Sequence, residues 1–390
     1  MSTAPSLWST RPLREVATLQ RGFDLPTRLR KLGDVPIVSS SGVSGLHHRS
    51  MVRGPGVVTG RYGTIGEVFY VEDDFWPLNT TLWVSNFHGN DVRFIYYLLH
   101  ELDFASHSGK SGVPGVNRND LHQLEVCLPT GHAAQRQIAE VLTDIDRQIT
   151  VLDRVIAKKE AIKQGMMQQL LTGETRLPGF TGAWKEWSMR SLGKPYGGLV
   201  GKTKEDFGVG EARYVPFMAV MARVRVTGQS LLRVRVGSAE RQNVIKNDDL
   251  LFNTSSETPD ELAMCAVATD LPADTYLNSF CFGFRLYSAD TADSLFLAYL
   301  FRSEAGRQLM KTYAQGAIRY NLSRAQFRNV VVVLPPIDEQ RAIAGVLNDI
   351  DSVIGALQDV HAKAKSIKQG IMQELLTGRT RLPVVEDATV

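Results

Sequence analysis

Cysteine is scarce in this chain. There are three in 390 residues, Cys127, Cys265 and Cys281, and no Cys-x-x-Cys pair. That pattern supports neither a disulfide framework nor a thiolate zinc site, and it suits a reducing cytoplasm. Long apolar runs are missing too. Val330–Leu334 is among the longer ones, which is strand length and far short of the ~20 residues that span a bilayer, and nothing reads as a signal peptide. Charge of one sign is not in excess either: 44 Lys and Arg stand against 41 Asp and Glu, a net charge of +3. The overall balance therefore settles nothing about partners, although basic residues outnumber acidic ones from Lys202 to Lys246, with Arg223, Arg225, Arg233 and Arg235 close together. Such a patch favours polyanions, or lines the solvent face of a strand.

Catalytic signatures are lacking as well. Leu334-Pro335-Pro336-Ile337 is not the Asn/Asp-Pro-Pro-aromatic loop with which a methyltransferase grips a flipped adenine. Gly197-Gly198-Leu199-Val200-Gly201-Lys202-Thr203 has one residue too few between its glycines for a phosphate-binding loop. No lysine has an acidic residue two positions before it, as the common metal nucleases require. His47-His48 has no nearby cysteine or carboxylate cluster and reads as loop chemistry rather than a metal site. The chain is expected not to be an enzyme, and to bind no metal and no cofactor of its own.

What is present is a repeat. Gln135–Pro178 recurs without a gap at Gln340–Pro383, with roughly two-thirds of positions identical. Ile138, Leu142, Ile145, Ile149 and Leu152 form a heptad seam, matched by Ile343, Leu347, Ile350, Ile354 and Leu357. The stripe then shifts phase to Ile162, Met166 and Leu170, and to Ile367, Ile371 and Leu375. Gly165 and Gly370 inside the helices suggest a close backbone approach. Asp338 can cap the second helix, and Gly173 and Gly378 suit its left-handed end and that of the first. A free helix of this length would expose its seam, so the simplest arrangement pairs the two copies. Antiparallel pairing would relate the halves by a pseudo-twofold axis.

The segments before the helices differ in sequence but share an order of elements. Val57–Thr59, Glu67–Val71 and Leu124–Leu128 read as strands and Val92–Leu102 as a helix. Asp249–Asn253, Tyr276–Tyr287 and Val330–Leu334 carry strand signals, and Leu295–Tyr313 reads as a helix. The predicted organisation is a mixed α/β module over 1–130, a helix over 131–180, a second α/β module over 181–335, a second helix over 336–383 and a tail over 384–390. Candidate contact residues lie in the loops: Arg61, Tyr62, Lys110, Ser111, Asn117 and Arg118 in the first module, and Lys202, Lys204, Asn253, Thr254, Ser255, Arg319, Tyr320 and Asn321 in the second. Such side chains can neutralise phosphates and read base edges. A coiled-coil scaffold whose modules bind a protein or another ligand is the competing reading.

The chain resembles the specificity subunit of Type I restriction–modification systems over nearly its whole length. The resemblance rests on Gly60-Arg61-Tyr62-Gly63-Thr64-Ile65-Gly66, on Asp74–Leu82, Val113–Leu121, Gly197–Phe207 and Leu251–Pro259, and on Leu334-Pro335-Pro336-Ile337-Asp338-Glu339-Gln340-Arg341 before the second helix. The first copy departs from that last pattern, with Ala134-Gln135-Arg136. The resemblance implies two target-recognition domains, each reading half of a split sequence in double-stranded DNA. It also implies a helix pair that spaces them and docks two methyltransferase subunits. Those subunits would supply S-adenosylmethionine, and separate motor–nuclease subunits would bring ATP and Mg. The protein would then work in a bacterial or archaeal cytoplasm, away from membranes.

Overall fold

The computed structural model describes residues 8–108, 115–316 and 319–382. Contacts divide the chain into two compact units, Met1–Arg154 with Asp359–Val390, and Val155–Gln358. Both boundaries fall inside the long helices, His132–Thr172 and Ile337–Leu376. Each unit thus comprises one α/β module, half of one long helix and half of the other.

The modules follow one plan. In the first, Trp8–Pro12 pairs antiparallel with Glu125–Pro129, the strand that leads into the long helix. In the second, Lys185–Ser188 pairs in the same way with Val331–Leu334. The main sheet of the first unit has the order Thr18–Arg21, Thr81–Asn86, Gly56–Gly60, Val68–Val71. That of the second runs Gly193–Gly197, Cys281–Leu286, Leu250–Asn253, Cys265–Ala268, with Arg225–Val226 added at one edge. A three-stranded sheet stands beside each: Gly42–His47, Val35–Ser39, Trp76–Pro77 in one, and Leu232–Val234, Phe207–Val215, Thr275–Leu277 in the other. The expectation of one fold decorated twice holds.

Short helices seal each main sheet. Val92–His100 starts at Asp91, whose carboxylate accepts from Phe94 N, and Ser294–Arg302 starts at Asp293, which accepts from Phe296 N. The single helix expected over Leu295–Tyr313 is two helices, because Ser303 turns extended and caps the second through Gly306 N. Gly306 is needed there, since a Cβ would press on the carbonyl of Leu300.

In the first unit, Ile138, Ala139 and Leu142 of one long helix join Met372, Leu375 and Leu376 of the other under the sheet and the Val92–His100 helix. In the second, Met167, Leu170 and Leu171 meet Ile343, Ala344 and Leu347 in the corresponding core. Residue numbers rise along one helix as they fall along the other, so the pairing within each unit is antiparallel. Lys368 meets Asp146 in the first unit, and Lys163 meets Asp351 in the second. Each unit repeats the other's contacts with the roles of the two helices exchanged.

The seam is accordingly graded. Ile138, Leu142, Ile149, Ile343, Leu347 and Ile354 are buried, whereas Ile145, Leu152, Ile350 and Leu357 are half-buried. The end of the seam nearest each module belongs to that module's core. Beyond it the expected phase shift fails at its first step: Ile162 and Ile367 are 42% and 47% exposed, because burial restarts at Met167 and Met372 instead. Gly165 and Gly370 make no close approach, and a Cβ at either would meet open space. Asp338 does not cap its helix; it lies within the first turn, after Pro336 has already accepted from Glu339 N and Gln340 N. Gly173 and Gly378 do take the left-handed conformation that ends each helix, at φ 78° and 72°.

Buried polar groups fix module to helix. Gln135 and Gln340 hold equivalent places. Gln135 Oε1 accepts from Asp91 N while its amide donates to Asn90 Oδ1 and Pro129 O. Gln340 Oε1 accepts from Asp293 N while its amide donates to Thr291 O and Pro335 O. Tyr97 OH donates to Asp146, and Tyr299 OH to Asp351, at 2.8 and 2.7 Å. Lys368 and Lys163 lie over those two rings, 5.5 and 5.7 Å from the centroids. One pair has no twin: Arg176 grips the fully buried Glu339 through two nitrogens, and the first unit has Ala134 where Glu339 stands.

His122 gives the first unit a pH dependence. Its Nε2 accepts from Leu19 N at 2.9 Å, so the ring must be neutral there. Burial, then Arg118 and Arg14, hold its pKa below the ordinary 6.5. An unfolded chain takes up this proton more readily, so stability is kept above about pH 6.5 and falls as pH drops below it. Burial lowers His48 and His100 as well, in the same direction. Resistance of the first unit to urea in the full chain should fall as pH drops from about 6.5 to about 5.5, and His122→Gln should remove part of that slope. An unchanged slope in the variant would rule out this histidine as the cause.

Candidate nucleic-acid interface

In each module the main sheet ends in a turn tied to a second segment by backbone hydrogen bonds. In the first, strand Gly56–Gly60 runs into Arg61 and Tyr62, whose N–H groups both donate to Thr80 O, at 2.9 and 3.1 Å. Val116 N then donates to Arg61 O. The Arg61 guanidinium lies over the Tyr62 ring, 4.5 Å from its centroid, and no carboxylate among the described residues pairs with it. Tyr62 in turn lies on Gly115, where a Cβ would sit 2.2 Å from a ring carbon. The arrangement presents a cation and a phenol on a braced turn.

The second module repeats the turn with other side chains. Strand Leu250–Asn253 runs into Thr254, whose N–H donates to Phe280 O, and Leu322 N donates to Thr254 O. Ser255 and Ser256 pair with Asn321 and Tyr320. Arg319 Nη2 reaches Ser255 Oγ at 3.3 Å. Thr254, Ser255, Arg319, Tyr320 and Asn321 are thus brought together, as Arg61 and Tyr62 are with Gly115 and Val116.

Several expected contact residues have structural duties instead. Asn253 is fully buried; its amide donates to Ser255 O and Glu261 O, and its oxygen accepts from Met264 N. No group of it faces solvent, so it shapes the turn and does not reach a base. The Lys202 side chain is 5% exposed and paired with Glu240, which draws that carboxyl down to about 2 through the lysine's hydrogen bond first. It locks its own loop and does not serve as a free cation. Ser255 is buried, and Asn117 spends its oxygen capping the short helix that begins at Arg118 by accepting from Asn119 N. Arg118 and Lys204 remain exposed, with no carboxylate paired to them among the described residues. Lys110 and Ser111 lie outside the described residues.

The basic stretch of the second module sorts in the same way. Arg235 forks onto Asp206, whereas Arg223, Arg225 and Arg233 are exposed. Arg302 and Arg307 are consumed inside: Arg302 donates to the carbonyls of Cys265, Val220, Met221 and Arg223, and Arg307 to those of Phe301, Leu262 and Ala263. Burial pulls Arg307 down to about 10. A group that sequence reading missed is Arg28, Arg30, Lys31 and Arg49, mostly exposed around the loop that precedes Val35–Ser39. His47 organises this loop: its Nδ1 accepts from Lys31 N, and its ring meets Trp76 edge-on. The run Arg28-Leu29-Arg30-Lys31 was the available signal.

No helix among the described residues is long and apolar enough to cross a membrane. The three cysteines are free, and burial pushes the Cys281 thiol up to about 12, which makes it unreactive.

One α/β module built twice, each copy offering exposed side chains from the same braced turn and each fixed to a long helix, defines a protein with two reading heads. The Type I restriction modification DNA specificity domain matches residues 5–163 and 230–365, well over half the chain, and the chain belongs to that family of DNA specificity subunits. A Type I restriction enzyme MjaVIII specificity subunit from Methanocaldococcus jannaschii is 24% identical over 317 residues, covering 75% of this chain and 71% of that protein. Among solved structures, the S subunit of a Type I restriction–modification system from M. genitalium aligns over 96% of this chain and 98% of its own, with a TM-score of 0.66 at 13% identity. A chain from a study of complex assembly and conformational transition of the type I R-M system aligns over 97% and 100%, with a TM-score of 0.55 at 17% identity. The fold expected from the sequence, two α/β recognition modules with paired long helices, is the fold found.

Proposed function

We propose that this chain reads a two-part target in double-stranded DNA, one half-sequence per module, and directs partner subunits to it. The observation that carries the reading is the equivalence of the turns at Arg61–Tyr62 and Thr254–Ser255, the same backbone framework carrying different side chains. One framework with two surfaces suits two different half-sequences. A scaffold binding proteins gives no reason for one braced turn to be built twice with different polar side chains.

In this reading two methyltransferase subunits dock on the helices and supply S-adenosylmethionine, motor–nuclease subunits supply ATP and Mg, and the catalysis is theirs. The complex works in a bacterial or archaeal cytoplasm, where the DNA lies. Phosphate contacts from Arg118, Lys204 and the Arg28–Lys31 loop would hold the duplex and make binding fall with salt.

The test is methylation-site mapping of DNA from cells that express this chain with its cognate methyltransferase subunit. A split motif with a constant unspecified spacer is expected. A continuous motif would refute the two-module reading. Arg61→Ala should relax one half-sequence and leave the other intact, at about 1–3 kcal/mol for the affected base pair; equal loss at both halves would make Arg61 a residue of the fold.

A further inference from the structure

Phe280 is 57% exposed although it stands between a strand of the three-stranded sheet, Thr275–Leu277, and a strand of the main sheet, Cys281–Leu286. A single exposed apolar side chain is ordinary by itself. Three further observations set this one apart. First, its backbone is held from both sides: Phe280 N donates to Asn278 Oδ1 at 2.8 Å, and Phe280 O accepts from both Thr254 N and Thr254 Oγ1, at 3.0 and 2.8 Å. The backbone that carries the ring is therefore fixed, and the ring leaves it from a set point rather than from a loose loop. Secondly, it shares that framework with Thr254, and through it with Ser255 and Asn321. Thirdly, the equivalent place in the first module is Thr80, whose carbonyl accepts from Arg61 N as that of Phe280 accepts from Thr254 N. The fold there does not require an apolar side chain. Phe280 also belongs to none of the hydrophobic clusters of its module.

Resting on the DNA-recognition reading above, we propose that Phe280 is a specificity residue of the second module that recognises thymine through its 5-methyl group. The 5-methyl is the apolar feature of the major groove, and a phenyl ring is one of the side chains suited to it. The exposed Arg319 and Asn321 on the segment paired with that turn suit base edges, so the aromatic would read one A·T pair within a half-sequence otherwise read by hydrogen bonds. The first module, with Thr80, would lack this contact.

The test uses the full chain with its cognate methyltransferase subunit, in wild-type form and as Phe280→Thr, which installs the first module's residue. Mapped methylation should show that Phe280→Thr drops the requirement for one A·T pair in one half-sequence and changes nothing in the other. Duplexes carrying deoxyuridine at that thymine should bind wild type about fourfold more weakly than thymine duplexes, the worth of one buried methyl group. Phe280→Thr should bind both duplexes equally, and Phe280→Leu should keep the thymine preference. An unchanged motif in Phe280→Thr, a wild type indifferent to deoxyuridine, or a half-sequence without an A·T pair would each overturn the proposal. Loss of all methylation in both variants would also overturn it, by making Phe280 a residue of the fold. Failure of the underlying reading looks different: the wild type would then give no split motif at all.

Discussion

Gln340→Ala should destabilise the second unit by about 3–5 kcal/mol in urea unfolding, because one fully buried side chain serves three backbone groups at the joint between module and helix. Removing it strands Asp293 N and the carbonyls of Thr291 and Pro335, and each stranded group costs about 1–3 kcal/mol when water cannot replace the partner. The loss extends beyond the joint, since Asp293 is also the cap of the Ser294–Arg302 helix. Gln340→Met separates polar from volume effects: it nearly fills the space yet satisfies none of the three groups. It should lose almost as much as the alanine. A methionine variant close to wild type would mean that shape, not hydrogen bonding, holds the joint. Gln135→Ala should do the same to the first unit, through Asp91, Asn90 and Pro129. In cells the two variants should each weaken recognition of a different half-sequence.

How far this was legible in the sequence depends on the range of the contact concerned. The left-handed glycines after each helix are a local pattern that holds; the heptad spacing is equally local, but of the seam only Ile138, Leu142 and Ile149 and their counterparts Ile343, Leu347 and Ile354 are buried. The conserved order of elements between two dissimilar modules was also readable, because alternation and helical spacing survive substitution. Gln135 and Gln340 were visible as identical residues of the repeat, but their partners lie 44 to 49 residues away in the chain in part, beyond any periodicity. Asn253 and Lys202 misled for a related reason. An asparagine or lysine near a glycine-rich loop looks available until its tertiary partners are known, here Met264 and Glu261 for one and Glu240 for the other. Ile162 and Ile367 look like core residues by spacing, yet both are exposed because the helix turns Met167 and Met372 to the module instead. Phe280 carried no signal at all: an aromatic between two strands reads as core, and only its exposure in the folded chain shows it outward.

Adding three heptads to each long helix, between Arg154 and Val155 and between Gln358 and Asp359, should lengthen the unspecified spacer of the DNA target by about nine base pairs while both half-sequences stay the same. These points are where the contacts of the two units divide, so the insertion leaves each module's core intact. By contrast, lengthening the chain near Thr172–Arg176 would disturb Gly173 against Trp184 and Arg176 against Glu339. Whole heptads keep the apolar seam in phase. Twenty-one residues add ~31 Å of helix at ~1.5 Å per residue, close to the ~34–36 Å of one duplex turn, so the displaced half-site faces the same side again. One heptad adds only ~10 Å, or about three base pairs, and turns the second half-site roughly 100° away. That variant should bind poorly whatever the spacer. The readout is binding to a series of duplexes that differ only in spacer length. If the three-heptad protein still prefers the original spacer, the helices do not set the distance between half-sites and the ruler reading is wrong. If it prefers the longer spacer while the one-heptad protein prefers none, both the length and the helical face of the target are set by this pair of helices.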